Sequence, residues 1–369
     1  MDRAENTDGR KGKVALRELT FAASLIALWG CASPGTPPGG PVDKTAPVLL
    51  SVVPDSARAR VKPPAVIFHF DEVVSERPPS ATSLDQLFLI SPRDGTPSVD
   101  WHRKDVTVRP SKGWRANTTY VVTLLPGIAD LRGNVRNKGA QTVFSTGASL
   151  NTASISGNIW NWVGGSAAPQ AYIEAISLPD SVTYIAVADS TGAFRVSHVP
   201  AGQFLVRGVI DDNKNRGIDA REAWDSATVR VSDSASLDLY AIARDSIAPA
   251  LGSVSVDDSV TLRLSFERAL APTALPTVAD VSIQGSDSVR LKILSIAVPP
   301  ADTALAKSGP PRPAPPQFLI VKVAAPLKSG ADYRLTISRV TGIAGISAPA
   351  VKTFKAPAAS SPPPAPGIK

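Results

Sequence analysis

The sequence is poor in the residues on which many enzymes and metal proteins depend. It has a single cysteine, Cys31, so no disulfide can form within the chain, and its three histidines lie far apart. Zinc sites need cysteine or histidine ligands at short spacings, and no such spacing occurs. The motifs G-x-S-x-G, S-x-x-K, G-x-x-x-x-G-K-[ST] and H-E-x-x-H are also missing. We therefore expect a protein that is not an enzyme.

Charge of one sign is not concentrated anywhere in the chain. The formal net charge is +7, but the 39 basic and 32 acidic side chains are scattered along the sequence. Nucleic-acid-binding domains carry a basic stripe or arm, so we expect no nucleic-acid partner. A mild basic excess still favours contact with acidic polysaccharides or phospholipid headgroups.

The apolar run at residues 19–30 is too short to cross a bilayer as a helix, which needs about 20 residues. It follows five basic residues and has the length of a signal-peptide core. Its end, Leu28-Trp-Gly-Cys31, resembles the bacterial lipobox. That resemblance implies removal of residues 1–30, attachment of diacylglycerol to the Cys31 thiol and acylation of the new amino terminus. The alternative is a free or buried cysteine in a soluble protein.

Two further features bear on the location of the protein. Residues 31–43 are rich in proline and glycine and read as a tether between an anchor and the first domain. Ala32 follows the cysteine, and by resemblance to enterobacterial sorting this implies the outer membrane, on its periplasmic or cell-surface side. The expected membrane contact is the lipid anchor, because several acyl chains hold a protein firmly.

Beyond the tether the hydrophobic period is two rather than 3.6. Short alternating runs such as Val66–Phe70 and Tyr120–Leu124 are typical of half-buried strands, and Asp-Ser pairs favour turns between them. One helical turn is expected at Ser83–Phe88, and no long amphipathic helix is present. The fold class predicted is all-β, with tandem β-sandwich domains behind a lipoprotein signal peptide.

An internal repeat brackets a different central stretch. Two pairs of segments are similar: Asp43-Lys-Thr-Ala-Pro47 corresponds to Asp245-Ser-Ile-Ala-Pro249, and Arg115–Tyr120 corresponds to Lys328–Tyr333. The order is therefore one unit, a different unit, and a diverged copy of the first. The copy at 244–357 carries a proline-rich insert at 309–316, and residues 358–369 form a proline-rich tail expected to be disordered.

The first unit, residues 44–147, resembles the bacterial Ig-like domain of S-layer (SbsA) type. The resemblance rests on the segments Thr45–Pro47, Ser51–Pro54, Phe68–Glu72, Leu87–Ile90, Asn117–Tyr120, Ile128–Asn134 and Phe144–Gly147. It implies an Ig-like β-sandwich, and the copy at 244–357 is similar to it more distantly.

The middle unit, residues 151–243, carries another pattern. Asp189, Gly192 and Phe194 are followed by Pro200-Ala-Gly-Gln-Phe204, which resembles carboxypeptidase-regulatory-like and collagen-adhesin B-type domains. This resemblance implies a prealbumin-like sandwich.

A twelve-residue loop in the middle unit is the one candidate ion site. Oxygen-bearing side chains stand at positions 1, 3, 5, 9 and 12 of the segment 211–222, namely Asp211, Asn213, Asn215, Asp219 and Glu222. EF-hand loops use such positions because Ca²⁺ takes six to eight oxygen ligands. The glycine expected at position 6 is replaced by Arg216, with Gly217 next. Calcium is therefore one interpretation, and a loop that hydrogen-bonds only to itself is the other.

Tryptophans offer the second candidate site. Trp160 and Trp162 share strand parity and so one face, where exposed rings could stack on a sugar; packing in a core or interface is the competing interpretation. We expect a non-catalytic envelope lipoprotein that acts as a spacer, a binding module or a subunit of a surface assembly with other envelope proteins. The alternative is a glycan- or peptidoglycan-binding lipoprotein, stabilised by calcium.

Overall fold

The computed structural model describes residues 41–244, 246–300 and 310–358. The predicted signal peptide, Cys31, most of the tether, the start of the proline-rich insert and the tail from residue 359 lie outside them. The chain divides into residues 1–45 and a compact unit of residues 46–369. Within the described residues, no helix has the length and apolar character needed to cross a membrane.

The first sandwich, residues 46–147, packs a four-stranded sheet against a three-stranded one. Alternation decides its core: Val66, Phe68 and Phe70 are buried, whereas Ile67 and His69 between them are partly exposed. The sheet orders are β1-β2-β5-β4 and β3-β6-β7. The strands are β1 Leu49–Val53, β2 Val66–Phe70, β3 Phe88–Ser91, β4 Ser98–His102, β5 Asp105–Arg109, β6 Thr119–Leu124 and β7 Ala140–Ser145. The predicted helical turn is a 3₁₀ helix, Leu84–Leu87.

The segment after β1 closes the first sandwich. Residues 57–61 run parallel to β7, with Arg58 opposite Phe144. Four backbone hydrogen bonds join the two segments: Ala57 N to Val143 O, Arg60 N to Gly147 O, Val61 N to Ser145 O and Ser145 N to Arg58 O. The beginning and the end of this sandwich are thereby held side by side.

The second sandwich, residues 151–243, is one continuous sheet that wraps around its own core. The sheet order is β11-β10-β13-β14-β16-β8-β12, with β9 and β15 paired to β8. Its strands are β8 Ala153–Asn161, β9 Ser166–Ala167, β10 Tyr172–Ser177, β11 Thr183–Val187, β12 Ala193–Val199, β13 Gly202–Val209, β14 Ala223–Val231, β15 Ser234–Ser236 and β16 Leu239–Ala243. The loop 211–222 connects β13 to β14.

The third sandwich, residues 246–357, repeats the topology of the first. Its sheet orders are β17-β18-β22-β21 and β20-β19-β23-β24, so β17, β18, β22 and β21 occupy the places of β1, β2, β5 and β4. The strands are β17 Leu251–Asp258, β18 Thr261–Phe266, β19 Val281–Gly285, β20 Arg290–Leu291, β21 Ile293–Ala297, β22 Phe318–Val323, β23 Asp332–Thr341 and β24 Ser347–Lys355, with a 3₁₀ helix at Val278–Asp280.

One hydrogen bond appears in both copies and ties the repeated tyrosines to their turns. The hydroxyl of Tyr120 accepts from the amide of Arg115 at 2.7 Å, and that of Tyr333 accepts from the amide of Lys328 at 2.8 Å. In each case the tyrosine bonds back to the residue five positions earlier, as in the tyrosine corner of Ig-like sandwiches. The internal repeat in the sequence is therefore also a repeat of structure.

Candidate functional site

The side chains of the loop 211–222 form hydrogen bonds within the loop. Oδ1 of Asp211 accepts from the amide of Asn215 at 3.1 Å, and Oδ1 of Asn213 accepts from the same amide at 2.9 Å. Oδ2 of Asp219 lies 2.5 Å from Nδ2 of Asn213 and 3.1 Å from Nδ2 of Asn215. Each of the five predicted ligand side chains thus forms a hydrogen bond with another residue of the set, Glu222 through the amide of Asp219.

The backbone at position 6 of the loop has the conformation that an EF-hand glycine supplies. Arg216 has φ +59°, and Lys214 two residues earlier has φ +58°. Such left-handed values cost an ordinary side chain about 1 kcal/mol or more, so surrounding contacts must hold them. The missing glycine therefore does not change the path of the loop.

Glu222, the last predicted ligand, is buried with one oxygen unsatisfied. The residue is 6% exposed, and Oε2 accepts from the amide of Asp219 at 2.9 Å. Oε1 has no hydrogen-bond partner among the described residues. A buried carboxylate oxygen without a partner is costly, and such a group marks a place where a ligand or ion can be bound.

Two of the three basic side chains of the loop, those of Lys214 and Arg216, reach the first sandwich. Nη2 of Arg216 donates to the carbonyl of Gln86 at 2.7 Å, and Nζ of Lys214 donates to the carbonyl of Ser80 at 3.3 Å. Both acceptors belong to the first sandwich. Burial lowers the pKa of the Arg216 guanidinium from its ordinary value, which reflects its position inside the junction.

The junction between the first two sandwiches is built around Arg93 and Glu174. Glu174 is 3% exposed; it pairs with Arg93 at 3.4 Å and also with Arg207. Nη1 of Arg93 donates to the hydroxyl of Tyr172 at 3.1 Å and to the carbonyl of Arg216 at 3.0 Å. Burial raises the pKa of Tyr172 to about 12, so its hydroxyl stays protonated at neutral pH.

Backbone and apolar contacts complete this junction. The amide of Arg93 donates to the carbonyl of Thr183 at 2.7 Å, which extends the end of β3 alongside β11. Leu89, Tyr172 and Ile185 form a small buried cluster between the two sandwiches. The first and second sandwiches therefore share a satisfied polar and apolar interface.

A basic cleft opens beside the same junction. Its volume is about 690 Å³, and Arg93, Lys112, Arg115, Lys214 and Arg216 supply its positive charge. Asp85 and Asp94 also line it, which leaves basic side chains in excess. A cleft of this kind can hold an anionic group.

The predicted tryptophan pair has one half-buried and one buried member. Trp162 is 6% exposed; its Nε1 donates to the carbonyl of Pro313 at 2.8 Å, and the guanidinium of Arg312 lies 3.8 Å from its ring centre. The proline-rich insert of the third sandwich thus covers this ring, so Trp162 fits the interpretation of interface packing rather than that of an exposed pair. Trp160 is partly exposed, with a buried Nε1 that has no partner among the described residues.

The junction residues were not singled out by sequence reasoning. Arg93 lies 79 positions before Tyr172 and still further from Glu174. No local spacing in the sequence therefore connects the two sides of the junction. Glu174 carried one available signal, because a charged residue in the middle of an otherwise apolar strand run needs a buried partner. That signal does not say where the partner is.

Comparison with known proteins identifies the first sandwich. Residues 43–146 match the family model described as bacterial Ig-like domain. This part of the chain is therefore similar to a bacterial Ig-like domain, and it stands in an array of β-sandwiches. No curated protein sequence matched the chain.

Solved structures match the chain at low sequence identity and low TM-score. The N-terminal part of the bacterial S-layer protein SbsC is 18% identical, over 30% of this chain and 24% of that one, with a TM-score of 0.23. A DUF3823 family protein from Bacteroides uniformis is 9% identical over 56% of this chain and 100% of that one, with a TM-score of 0.19. The FN1–FN3 domains of chicken CNTN1 are 8% identical over 85% of this chain and 100% of that one, with a TM-score of 0.17. The chain therefore spans about a quarter of the SbsC fragment.

Proposed function

We propose that this protein is a non-catalytic lipoprotein of the outer membrane, anchored through Cys31, whose three sandwiches act as a spacer and as a subunit of a surface assembly. The observation that carries the proposal is the compact unit of residues 46–369, in which the Ig-like sandwich is joined to a second sandwich through the ion pair between Arg93 and the buried Glu174. Such an array presents its end loops and edge strands in a fixed arrangement relative to one another, where partners can dock.

The experiment that tests this role compares wild type with Cys31→Ser in cells. Tagged protein is cross-linked in place, the outer membrane is separated, and partners are identified by mass spectrometry. We expect the wild type in the outer-membrane fraction with a defined set of envelope proteins, and Cys31→Ser in the soluble or inner-membrane fraction without them. Equal distribution of the two forms contradicts the anchor, and a wild type without partners contradicts the assembly role.

A second candidate, binding of an acidic glycan or peptidoglycan, is favoured by the basic cleft between the first two sandwiches. Lys112 and Arg115 are exposed and line the cleft without belonging to the ion pairs of the junction. A glycan array with wild type and a Lys112→Ala, Arg115→Ala variant tests this role. Binding of acidic glycans that the double substitution removes supports it, whereas absent binding or an unchanged profile contradicts it.

A further inference from the structure

We propose that Trp162 and Tyr240 of the second sandwich form a binding site for a polyproline II segment that carries an arginine. The occupant of this site in the folded chain is the insert segment, residues 310–316, which is the described part of the proline-rich insert of the third sandwich. The proposal goes beyond the spacer role and does not depend on the lipid anchor. It rests on the conformations that the segment can adopt and on three kinds of contact that hold it.

The sequence of the insert segment leaves its backbone few conformations. Five of the seven residues in Pro310-Pro-Arg-Pro-Ala-Pro-Pro316 are proline, whose ring holds φ at about −65°. Arg312 and Ala314 each precede a proline, which disfavours the helical region for both. In the structure, residues 313–316 belong to neither a helix nor a strand. These restrictions favour polyproline II, whose carbonyls make no internal hydrogen bonds and stay available to a partner.

A tryptophan of the second sandwich donates a hydrogen bond to one of these carbonyls. Nε1 of Trp162 lies 2.8 Å from the carbonyl oxygen of Pro313. Indole has one donor and no acceptor, so this bond satisfies the only polar atom of a residue that is 6% exposed. The backbone amide of Trp162 donates to the carbonyl of Ala241 at 3.1 Å, next to β16 residue Tyr240. The second sandwich itself therefore holds the donor in place.

The arginine of the segment lies against two aromatic rings. The guanidinium carbon of Arg312 is 3.8 Å from the ring centre of Trp162 and 5.6 Å from that of Tyr240. The two rings make an edge-to-face contact with each other, with their centres 6.3 Å apart. A cation near the face of tryptophan is attracted by the quadrupole of the ring. Within the part of the chain that the structure describes, Arg312 forms no salt bridge, so the rings are what favours a cation here.

The end of the segment packs closely and is fixed to its own sandwich. Gly165 has φ +61°, and a side chain at this position would place its Cβ 3.9 Å from Cβ of Ala314. Ala314 thus passes over a glycine near van der Waals distance, and Pro315 after it is buried. The carbonyl of Pro316 accepts from the amide of Leu270 at 2.8 Å, within the third sandwich. The ligand is therefore tethered directly beside the site that binds it.

These contacts match the way in which aromatic-lined grooves recognise polyproline II segments. A segment that is already extended loses little conformational entropy on binding, and its tether gives it a high effective concentration. The second and third sandwiches also leave a cleft of about 290 Å³, lined by Val163 on one side and Ile343 on the other. Because their facing surfaces leave this gap, we expect the bound segment to hold the third sandwich in position.

The chain contains a second segment that serves as a comparison ligand. The pattern Pro-x-Pro-Ala-Pro of residues 311–315 occurs again at 362–366, where Pro363 takes the place of Arg312. A site that recognises both the polyproline backbone and the cation should prefer the first pattern. The insert peptide, residues 309–317, and the tail peptide, residues 361–369, can therefore be compared at the same site.

The test supplies the ligand as a free peptide to the full chain in detergent. In the insert variant, Arg312→Ser, Pro313→Gly and Pro315→Gly remove the contacts of the tethered segment. Fluorescence anisotropy of the labelled insert peptide measures its binding. The indole N–H signal of Trp162 in NMR spectra, identified by its loss in Trp162→Phe, reports where the peptide binds. The comparison ligands are the tail peptide and an insert peptide with Arg312→Ala.

We expect saturable binding of the insert peptide to the insert variant, with the Trp162 indole signal returning toward its wild-type position. Binding to wild type should be at least about tenfold weaker, because the tethered segment competes. The two comparison ligands should bind about fivefold weaker, since they lack the cation–π contact. Adding Trp162→Phe should also weaken binding about fivefold by removing the donor. The matched control Trp224→Phe, whose ring contacts Arg244 instead, should leave binding unchanged.

Four results would each overturn the proposal. One is an insert variant that keeps dispersed indole signals but binds no insert peptide at about 1 mM. Equal binding of the insert peptide and its Arg312→Ala form contradicts recognition of the cation, and equal effects of Trp162→Phe and Trp224→Phe contradict the position of the site. If the insert variant does not fold, Arg312→Gln alone should speed hydrogen exchange at the Trp162 indole about threefold, and unchanged exchange is the fourth contrary result.

Discussion

At the scale of single residues, burial changes the chemistry of the tyrosines more than any other group. Tyr172 and Tyr184 both have their pKa raised to about 12, chiefly because burial penalises the phenolate. Tyr172 lies in the junction and Tyr184 in the core of the second sandwich. The middle sandwich thus holds two protons that an unfolded chain would release near pH 10.

This difference predicts a loss of stability at alkaline pH. A pKa raised above the unfolded value contributes stability that is present below pH 10 and is lost as the pH rises toward 12. Two pKa units correspond to about 2–3 kcal/mol, so Tyr172→Phe should reduce the fall in unfolding free energy across this window by roughly that amount. Absorbance at 295 nm should show two of the five tyrosines ionising only near pH 12. Ionisation of Tyr172 and Tyr184 near pH 10 would contradict the burial.

The loop 211–222 shows which features of single residues can be predicted from the sequence alone and which cannot. The spacing of oxygen-bearing residues predicted a loop at 211–222, and the side-chain amides of Asn213 and Asn215 both donate to Asp219 there. The sequence also suggested that Arg216 is unfavourable at position 6, where a glycine is expected. The order of residues shows neither the backbone angle at that position nor the direction of the side chain. In the structure Arg216 adopts the left-handed angle, and its guanidinium leaves the loop for Gln86.

At the scale of elements, period-two alternation predicted strands correctly where one face of the strand is buried and the other is exposed to solvent. Val66–Phe70 and Thr261–Phe266 are of this kind and were predicted as strands. β17 and β24 were missed, because small and charged residues interrupt their alternation. Their strand character comes from pairing with β18 and β23, which a local pattern does not contain.

The repeated tyrosine corner supplies a prediction about individual elements. Tyr120→Phe and Tyr333→Phe each remove one hydroxyl that accepts from a backbone amide five residues earlier. Each substitution should lower the unfolding free energy by about 1 kcal/mol, the net value of one hydrogen bond. Because the two sites lie in different sandwiches, the double variant should lose the sum. Urea melts measure these values, and a clear departure from additivity would show that the two copies are coupled.

At the scale of the whole molecule, buried charges link modules that could otherwise move independently. Interfaces between domains of one chain are commonly small and mobile. Here Glu174 is placed where it needs cations from its own sandwich and from the neighbouring one, Arg207 and Arg93. Such long-range pairing follows from the three-dimensional path of the chain, and composition or spacing does not reveal it.

The junction should therefore depend on Arg93 far more than on an ordinary surface cation. Arg93→Ala leaves Glu174 buried with one partner fewer and should lower the unfolding free energy of the first two sandwiches by about 1–3 kcal/mol. The matched control is Arg109→Ala, which removes a half-exposed pair with Asp100 and should cost less than about 1 kcal/mol. Calorimetric melts compare the two. Equal effects would mean that the buried pairing contributes no more than a surface contact.

The side-by-side closure of the first sandwich has a mechanical consequence. A chain held at its amino end and pulled from its far end loads this sandwich through its beginning and its end. The four hydrogen bonds between residues 57–61 and residues 143–147 join two parallel segments, so such a pull acts along the strands rather than across them. Bonds loaded in that direction share the force and must rupture together, whereas bonds loaded across the strands open one at a time. The module nearest the amino end is thus built to carry tension.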